Sequence, residues 1–140
     1  MNNLLLRNVR PMAGKTCDIL IRDGKIAGFG QFDAEPDMAV EDGGNAIVAP
    51  GLIDAHTHLD KTTWGMPWHA NNRAAILRER IDFEREHRLE IGIDPHRQSM
   101  RHAIGLVAHG STHIRSHVDI DPTHGLSLVE GLWETREKLK

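Results

Sequence analysis

The stretch from Pro50 to Asp60, PGLIDAHTHLD, constrains the fold of this chain more than any other segment. Its Pro-Gly dipeptide signals a turn, and the mostly apolar residues 52–55 predict a short strand. His56 and His58 follow at alternate positions, and side chains two residues apart on a strand point to the same face. The spacing therefore allows both imidazoles to bind one metal ion at the end of a strand.

The rest of the chain after this strand alternates between helical and extended patterns. The patterns predict a helix over residues 72–89, a second helix over 94–109, a strand over 112–119 and a third helix over 126–139, opened by Asp121-Pro122. The first helix carries Ala74, Leu77 and Ile81 on one face, and the second carries an apolar stripe from Met100 to Ala108. Alternation of this kind indicates a parallel sheet with helical crossovers, and right-handed connections would place strand 112–119 beside the first strand.

Residues 1–48 predict short β-strands before the histidine segment. Asp23-Gly24 is a strong hairpin signal between Cys17–Arg22 and Lys25–Phe29. The acidic, turn-rich segment Gln31–Gly44 predicts a loop. No chemistry is visible in this part of the chain.

Bulk properties exclude several classes of protein. The net charge of −3 does not indicate binding to nucleic acid or to a membrane surface. No apolar run is long enough for a signal peptide or a membrane-spanning helix. Cys17 is the only cysteine, which excludes a disulfide framework and a cysteine-rich zinc site. We expect a soluble, cytoplasmic protein.

Several other residues are candidates for the same site. His117 and Asp119 share a face of the second predicted strand and lie near its carboxyl end, where barrel enzymes place their active sites. Asp60 follows the histidine pair directly. Each of the three fits a substrate-binding or outer-shell role, or a purely structural hydrogen bond. Trp64 lies with Trp68 in a loop marked by glycine and proline, where the two rings either line a flat-ring pocket or cap a barrel by packing, and packing is the favoured interpretation.

The motifs HTHLD at 56–60, Trp64, Pro67-Trp68 and HIRSHVD at 113–119 resemble the cytosine deaminase branch of the amidohydrolase superfamily. That branch also contains enzymes that remove amine substituents from triazine rings. The resemblance implies an α/β fold, in which residues 1–49 supply strands of a small β-sandwich and residues 50–140 supply the first βα units of a (β/α)₈ barrel. Because such a barrel needs roughly 250 residues, the chain is expected to be the N-terminal portion of a longer enzyme.

The resemblance also implies a chemistry. His56 and His58 would bind one divalent metal ion, zinc or iron, and the enzyme would hydrolyse a C–N bond on a cytosine-like or triazine-like heterocycle. The remaining metal ligands and the acid/base residue would lie beyond Lys140, so no catalytic residue is expected within the chain and the chain alone should be inactive. The modified lysine that bridges two metals in some amidohydrolases lies on a later strand, so Lys61 is not assigned that role. A homo-oligomer is expected for the full-length enzyme.

Two alternatives stay open. One is a cyclic-amide hydrolase of the dihydroorotase or hydantoinase type, which belongs to the same superfamily. The other is a non-enzymatic metal-binding fragment.

Overall fold

The computed structural model describes residues 3–70 and 76–140, and its elements separate into two units, Met1–Pro50 and Gly51–Lys140. The predicted start of the first helix, including Ala74, lies outside the described residues. None of the helices in the described ranges has the length and apolar character needed to cross a membrane.

The first unit is built from five strands in one sheet. They are β1 (Leu4–Pro11), β2 (Cys17–Arg22), β3 (Lys25–Gly30), β4 (Ala39–Asp42) and β5 (Ile47–Val48). The order is β3-β2-β1-β4, with β5 also paired to β1; the β1–β2 and β2–β3 pairs are antiparallel, whereas β4 and β5 run parallel to β1. Asp23 and Gly24 have φ values of 51° and 72°, as a type I′ hairpin turn requires, so the predicted hairpin is confirmed.

Strand β4 corrects the sequence analysis, which predicts a loop over Gln31–Gly44. Its four residues are exposed, two of them are acidic, and Val40 alone has a high preference for a strand. They form one because their backbone pairs with β1, where Leu4 lies opposite Ala39 and Leu6 opposite Glu41. Pairing with a neighbouring strand therefore outweighs local propensity here.

The second unit contains β6 (Leu52–Thr57), α1 (Leu77–Glu90), α2 (Pro95–Ala108), β7 (Ser111–Ser116) and α3 (Ser127–Lys138). Strands β6 and β7 are parallel neighbours, with Ile53 opposite His113 and Thr57 opposite Ser116, so the predicted pairing is confirmed. Strand β7 ends three residues earlier than the predicted strand over 112–119. One more backbone hydrogen bond, from His117 to Thr57, follows Ser116, and after it the Asp119 N–H donates to the Asp60 side chain, so the regular ladder stops.

The helix termini follow capping chemistry at one of two predicted sites. The Asp94 carboxylate accepts a hydrogen bond from the backbone N–H of Arg97 at 2.8 Å, and Pro95 opens α2, as predicted. Asp121 instead accepts from the N–H groups of Thr123 and His124, at 2.9 and 3.1 Å. These bonds close a turn on the carboxylate, so α3 begins later, at Ser127, and the prediction that Asp121-Pro122 opens a helix is wrong.

The buried faces of the helices are not the apolar stripes that the sequence predicts. Leu77 and Ile81 of α1 and Ile104 and Val107 of α2 are exposed. Helices α2 and α3 meet through buried residues that are small or polar, among them Ser99, Gly131 and Thr135. The Ser99 and Thr135 hydroxyls lie 2.6 Å apart in this contact.

The contact between α2 and α3 gives a matched pair of stability predictions. A Cβ at Gly131 would lie 2.6 Å from the Cβ of Pro95 and 2.8 Å from the backbone nitrogen of His96, so Gly131→Ala must force the helices apart. We expect a loss of about 1–3 kcal/mol. At Gly105 the nearest atom would be 3.9 Å away, and Gly105→Ala should stabilise the chain by about 0.5–1 kcal/mol, because alanine favours a helix interior. Urea unfolding of both variants checks this contrast.

Candidate metal centre

Three imidazoles converge where the two parallel strands end. His56 lies in β6, His58 directly follows it, and His117 directly follows β7. The ring centroid of His117 is 4.3 Å from that of His56 and 5.7 Å from that of His58, and the two rings of the pair are 5.9 Å apart. We call these three residues the imidazole cluster. The structure thus brings together three of the residues that the sequence analysis selects.

Hydrogen bonds between the two strand ends hold this arrangement. The backbone N–H of His117 donates to the Thr57 carbonyl at 2.8 Å, which extends the ladder by one step. The N–H of Leu59 donates to the Ser116 hydroxyl at 3.0 Å. Because both segments are fixed to each other directly beside the histidines, the imidazole cluster rests on a rigid support.

Two carboxylates lie behind His58. Asp60 is fully buried, and its Oδ2 accepts a hydrogen bond from the Asp119 N–H at 2.8 Å. Its Oδ1 lies 3.4 Å from His58 Nδ1, and Asp119 Oδ1 lies 3.8 Å from the same nitrogen. Ligand atoms of these three residues all lie within 4.8 Å of one another, so they form a second group that could hold a cation.

The charge around Asp119 decides between these two groups. Its Oδ2 is 3.0 Å from Lys61 Nζ and 3.4 Å from a guanidinium nitrogen of Arg88. Partial burial opposes ionisation of Asp119, but the hydrogen bond and charge of Lys61, with the charges of Arg88 and His58, hold its pKa below the usual value. Two protein cations already neutralise this carboxylate, which disfavours a divalent ion there. The imidazole cluster is the better candidate for the metal.

The donor set of the imidazole cluster suits a late first-row divalent ion. Burial lowers the pKa of His117, and the electrostatic influence of its neighbours His56, Arg115 and His58 lowers it further. The ring is therefore neutral at neutral pH, which leaves a nitrogen lone pair free to bind a metal. Neutral imidazole is a preferred ligand of zinc and iron, so the residues present fit either ion.

The described ring contacts of Trp64 do not include the imidazole cluster. Trp64 lines a cleft of about 670 Å³ between the loop 61–70 and helix α1, together with Trp68, Phe83 and His87. Trp64 is 58% exposed and Trp68 is 85% exposed in this chain, and the interpretation that both rings cap a barrel by packing stays a prediction. The indole of Trp64 stacks on the His102 ring, with centroids 6.1 Å apart.

Sequence reasoning missed the two cations that hold Asp119. Lys61 also pairs with Glu84, at 3.2 Å, and these contacts raise its pKa above the usual value although partial burial acts against its charge. Arg88 is 6% exposed and belongs to a helix in which most side chains are charged. No local pattern separates Arg88 from the other charges of α1, because its partner lies 31 residues away.

Other histidines do not join the cluster. His113 is exposed in β7, and its Nδ1 lies 3.0 Å from the neighbouring Thr112 hydroxyl. His124 pairs with Asp121, with 3.1 Å between Nδ1 and Oδ2.

Comparison with known proteins shows which enzymes this chain is similar to. The solved structure of N-isopropylammelide isopropylaminohydrolase from Burkholderia multivorans matches with a TM-score of 0.90 and 45% sequence identity, over 99% of this chain and 35% of that chain. N-isopropylammelide isopropyl amidohydrolase of Pseudomonas sp. (strain ADP) is 31% identical over 104 residues, which are 67% of this chain and 24% of that protein. Dihydroorotase of Mycobacterium tuberculosis is 44% identical over 59 residues, covering 41% of this chain and 14% of that protein.

No family model matches the chain. The chain spans about a quarter of the length of the curated relatives that it matches over most of its own length. The isopropylammelide enzymes and the dihydroorotase named above are hydrolases that act on carbon–nitrogen bonds. The chain is therefore homologous to the N-terminal portion of amidohydrolase-superfamily enzymes.

Proposed function

We propose that the chain is the N-terminal portion of a metal-dependent amidohydrolase that removes an amine substituent from a triazine-like ring. The imidazole cluster carries this proposal, since it lies at the ends of two parallel strands in a chain similar over nearly its whole length to an isopropylaminohydrolase. In this proposal β6 and β7 are the first strands of a (β/α)₈ barrel, and residues 1–49 contribute to a small β-sandwich.

The residues of the chain have different roles in binding the metal ion. His56 and His58 would hold a divalent ion, zinc or iron, and His117 lies close enough to assist. A bound ion would supply the Lewis acidity that activates water at neutral pH. Asp60 and Asp119 hold the strand ends together beneath the cluster.

The cleft beside the loop 61–70 suits a flat substrate. Trp64, Trp68 and Phe83 present aromatic rings in it, and such rings stack on planar heterocycles. The overall reaction consumes water, breaks the bond between the ring carbon and the exocyclic amine, and leaves a ring carbonyl. An alkylamine as leaving group would place the protein with the triazine enzymes, and ammonia would place it nearer cytosine deaminase.

The test is product release by the complete protein that contains this chain. We expect release of isopropylamine from N-isopropylammelide, loss of that activity after metal chelation, and its return when zinc or iron is added. Cytosine and dihydroorotate are run in parallel. Turnover of dihydroorotate alone would contradict the proposal and support the second candidate.

That second candidate is a cyclic-amide hydrolase, which the 59-residue match to a dihydroorotase favours. The match to the dihydroorotase covers 41% of this chain, whereas the match to the isopropyl amidohydrolase covers 67%, so we rank the cyclic-amide hydrolase second. For either activity we predict a cytoplasmic location and a homo-oligomer, which subcellular fractionation and light scattering of the complete protein would check.

A further inference from the structure

We propose that Asp60 is a positioning residue for the metal centre: it accepts the Nδ1–H of His58 and thereby turns Nε2 of that ring toward the ion. The inference rests on the proposed function only in taking the imidazole cluster as the metal site. In this inference, Asp60 fixes the tautomer of His58 in which Nδ1 carries the proton.

The burial of both atoms points to this bond. Asp60 is 0% exposed, and a buried carboxylate needs partners for both oxygens. Its Oδ2 has one in the Asp119 N–H. Its Oδ1 and the Nδ1 of His58 are both buried and lack a hydrogen-bond partner among the described residues, although only 3.4 Å separates them. A movement of a few tenths of an ångström would bring them to hydrogen-bond distance.

Asp119 is a poorer partner for His58. Its Oδ1 lies farther from Nδ1, at 3.8 Å, and its Oδ2 is engaged by Lys61 and Arg88. Asp60 makes no ion pair with either cation among the described contacts, so its charge faces His58. A carboxylate on the second nitrogen of a metal-binding histidine fixes the ring and makes it a stronger ligand.

The metal-free protein gives the first test, and this test needs no substitution at Asp60. Nitrogen-15 NMR of the histidine side chains at about pH 8, well above the usual imidazole pKa, reports which ring nitrogen carries the proton. The His58 signals are those that disappear in His58→Ala. We expect the Nδ1–H form for His58, whereas an unconstrained imidazole favours the Nε2–H form. A His58 in the Nε2–H form would overturn the proposal.

Asp60→Asn gives the second test, because the amide has only one oxygen. If that oxygen keeps the bond from the Asp119 N–H, the NH₂ group faces His58 and donates to Nδ1. We expect His58 to switch to the Nε2–H form, and zinc affinity, measured by competition with a chelator, to fall by about 10- to 100-fold. Asp60→Ala should lower the affinity by a similar factor without imposing a tautomer.

A matched control is Asp121→Asn, which alters another buried carboxylate paired with a histidine, His124. It should leave the His58 tautomer and zinc affinity unchanged. If Asp60→Asn also leaves both unchanged while circular dichroism shows the native fold, Asp60 has no positioning role. The tautomer is read without metal or substrate, so a failure of the triazine assay would overturn the proposed function and leave this result standing.

Discussion

Replacing His56 and His58 together by alanine is expected to weaken zinc binding by more than about 100-fold. Loss of a single outer-shell partner already costs about 10- to 100-fold, and this variant removes two rings of the imidazole cluster. The third ring, His117, cannot hold the ion alone, since catalytic zinc sites need about three protein ligands. Competition titration against a chromophoric chelator, with elemental analysis after dialysis, measures the effect. Amine release by the complete protein should fall with metal content.

The matched control for this variant is His113→Ala. His113 is an exposed histidine on β7, and its recorded hydrogen bond is to its neighbour Thr112. It should bind zinc as the parent does. Full metal content in the His56→Ala/His58→Ala protein would show that the metal lies elsewhere, and the group of His58, Asp60 and Asp119 would then have to be reconsidered.

Asp119→Ala is expected to destabilise the second unit by about 2 kcal/mol, less than the ~3–5 kcal/mol for breaking a fully buried pair, because Asp119 is itself 32% exposed. The substitution leaves the buried guanidinium of Arg88 without this carboxylate. Adding Arg88→Met should recover about 1 kcal/mol, since the uncompensated charge is then gone. Urea unfolding followed by tryptophan fluorescence is a suitable measurement, because all three tryptophans lie in the second unit.

The control for the ion pair is Glu137→Ala, which removes an exposed pair with Lys140. It should change stability by no more than about 0.5 kcal/mol, because exposed pairs contribute little. Equal effects of Asp119→Ala and Glu137→Ala would mean that the contact with Arg88 does not stabilise the fold.

The parts of the fold that the sequence predicts correctly are those that local chemistry decides. The hairpin at Asp23-Gly24 follows from backbone preferences of two residues, and the start of α2 follows from the Asp94 cap. The parallel pairing of β6 and β7 follows from alternation of strand and helix patterns. Each of these depends on residues close together in the sequence or on a general rule of chain connection.

The errors have the opposite origin. Strand β4 forms through pairing with a strand more than 30 residues away, and its own composition opposes it. The apolar stripes of α1 and α2 predict helices correctly but not the buried faces, because burial depends on what packs against each helix. The Asp121 carboxylate closes a turn where the same residue type caps a helix at Asp94.

The site shows the same division. The spacing of His56 and His58 can be seen in the sequence. The alternation in 113–119 identifies His117 and Asp119 as further candidate residues of the same site. The contact of Arg88 with Asp119 is invisible there, since nothing near Arg88 distinguishes it from its charged neighbours. Only the three-dimensional structure shows that a cation could also lie between His58 and the two carboxylates.

The ion pairs of Asp119 bear on how such an enzyme could evolve. Lys61 and Arg88 both form ion pairs with the Asp119 carboxylate. The two cations lie at opposite ends of the segment that carries Trp64, Trp68 and Phe83. Mutations between these anchors can reshape the cleft while the strand ends and their histidines keep their places. Under the proposed function, substitutions within that segment would change which ring substituents the cleft accepts and would leave the imidazole cluster in place.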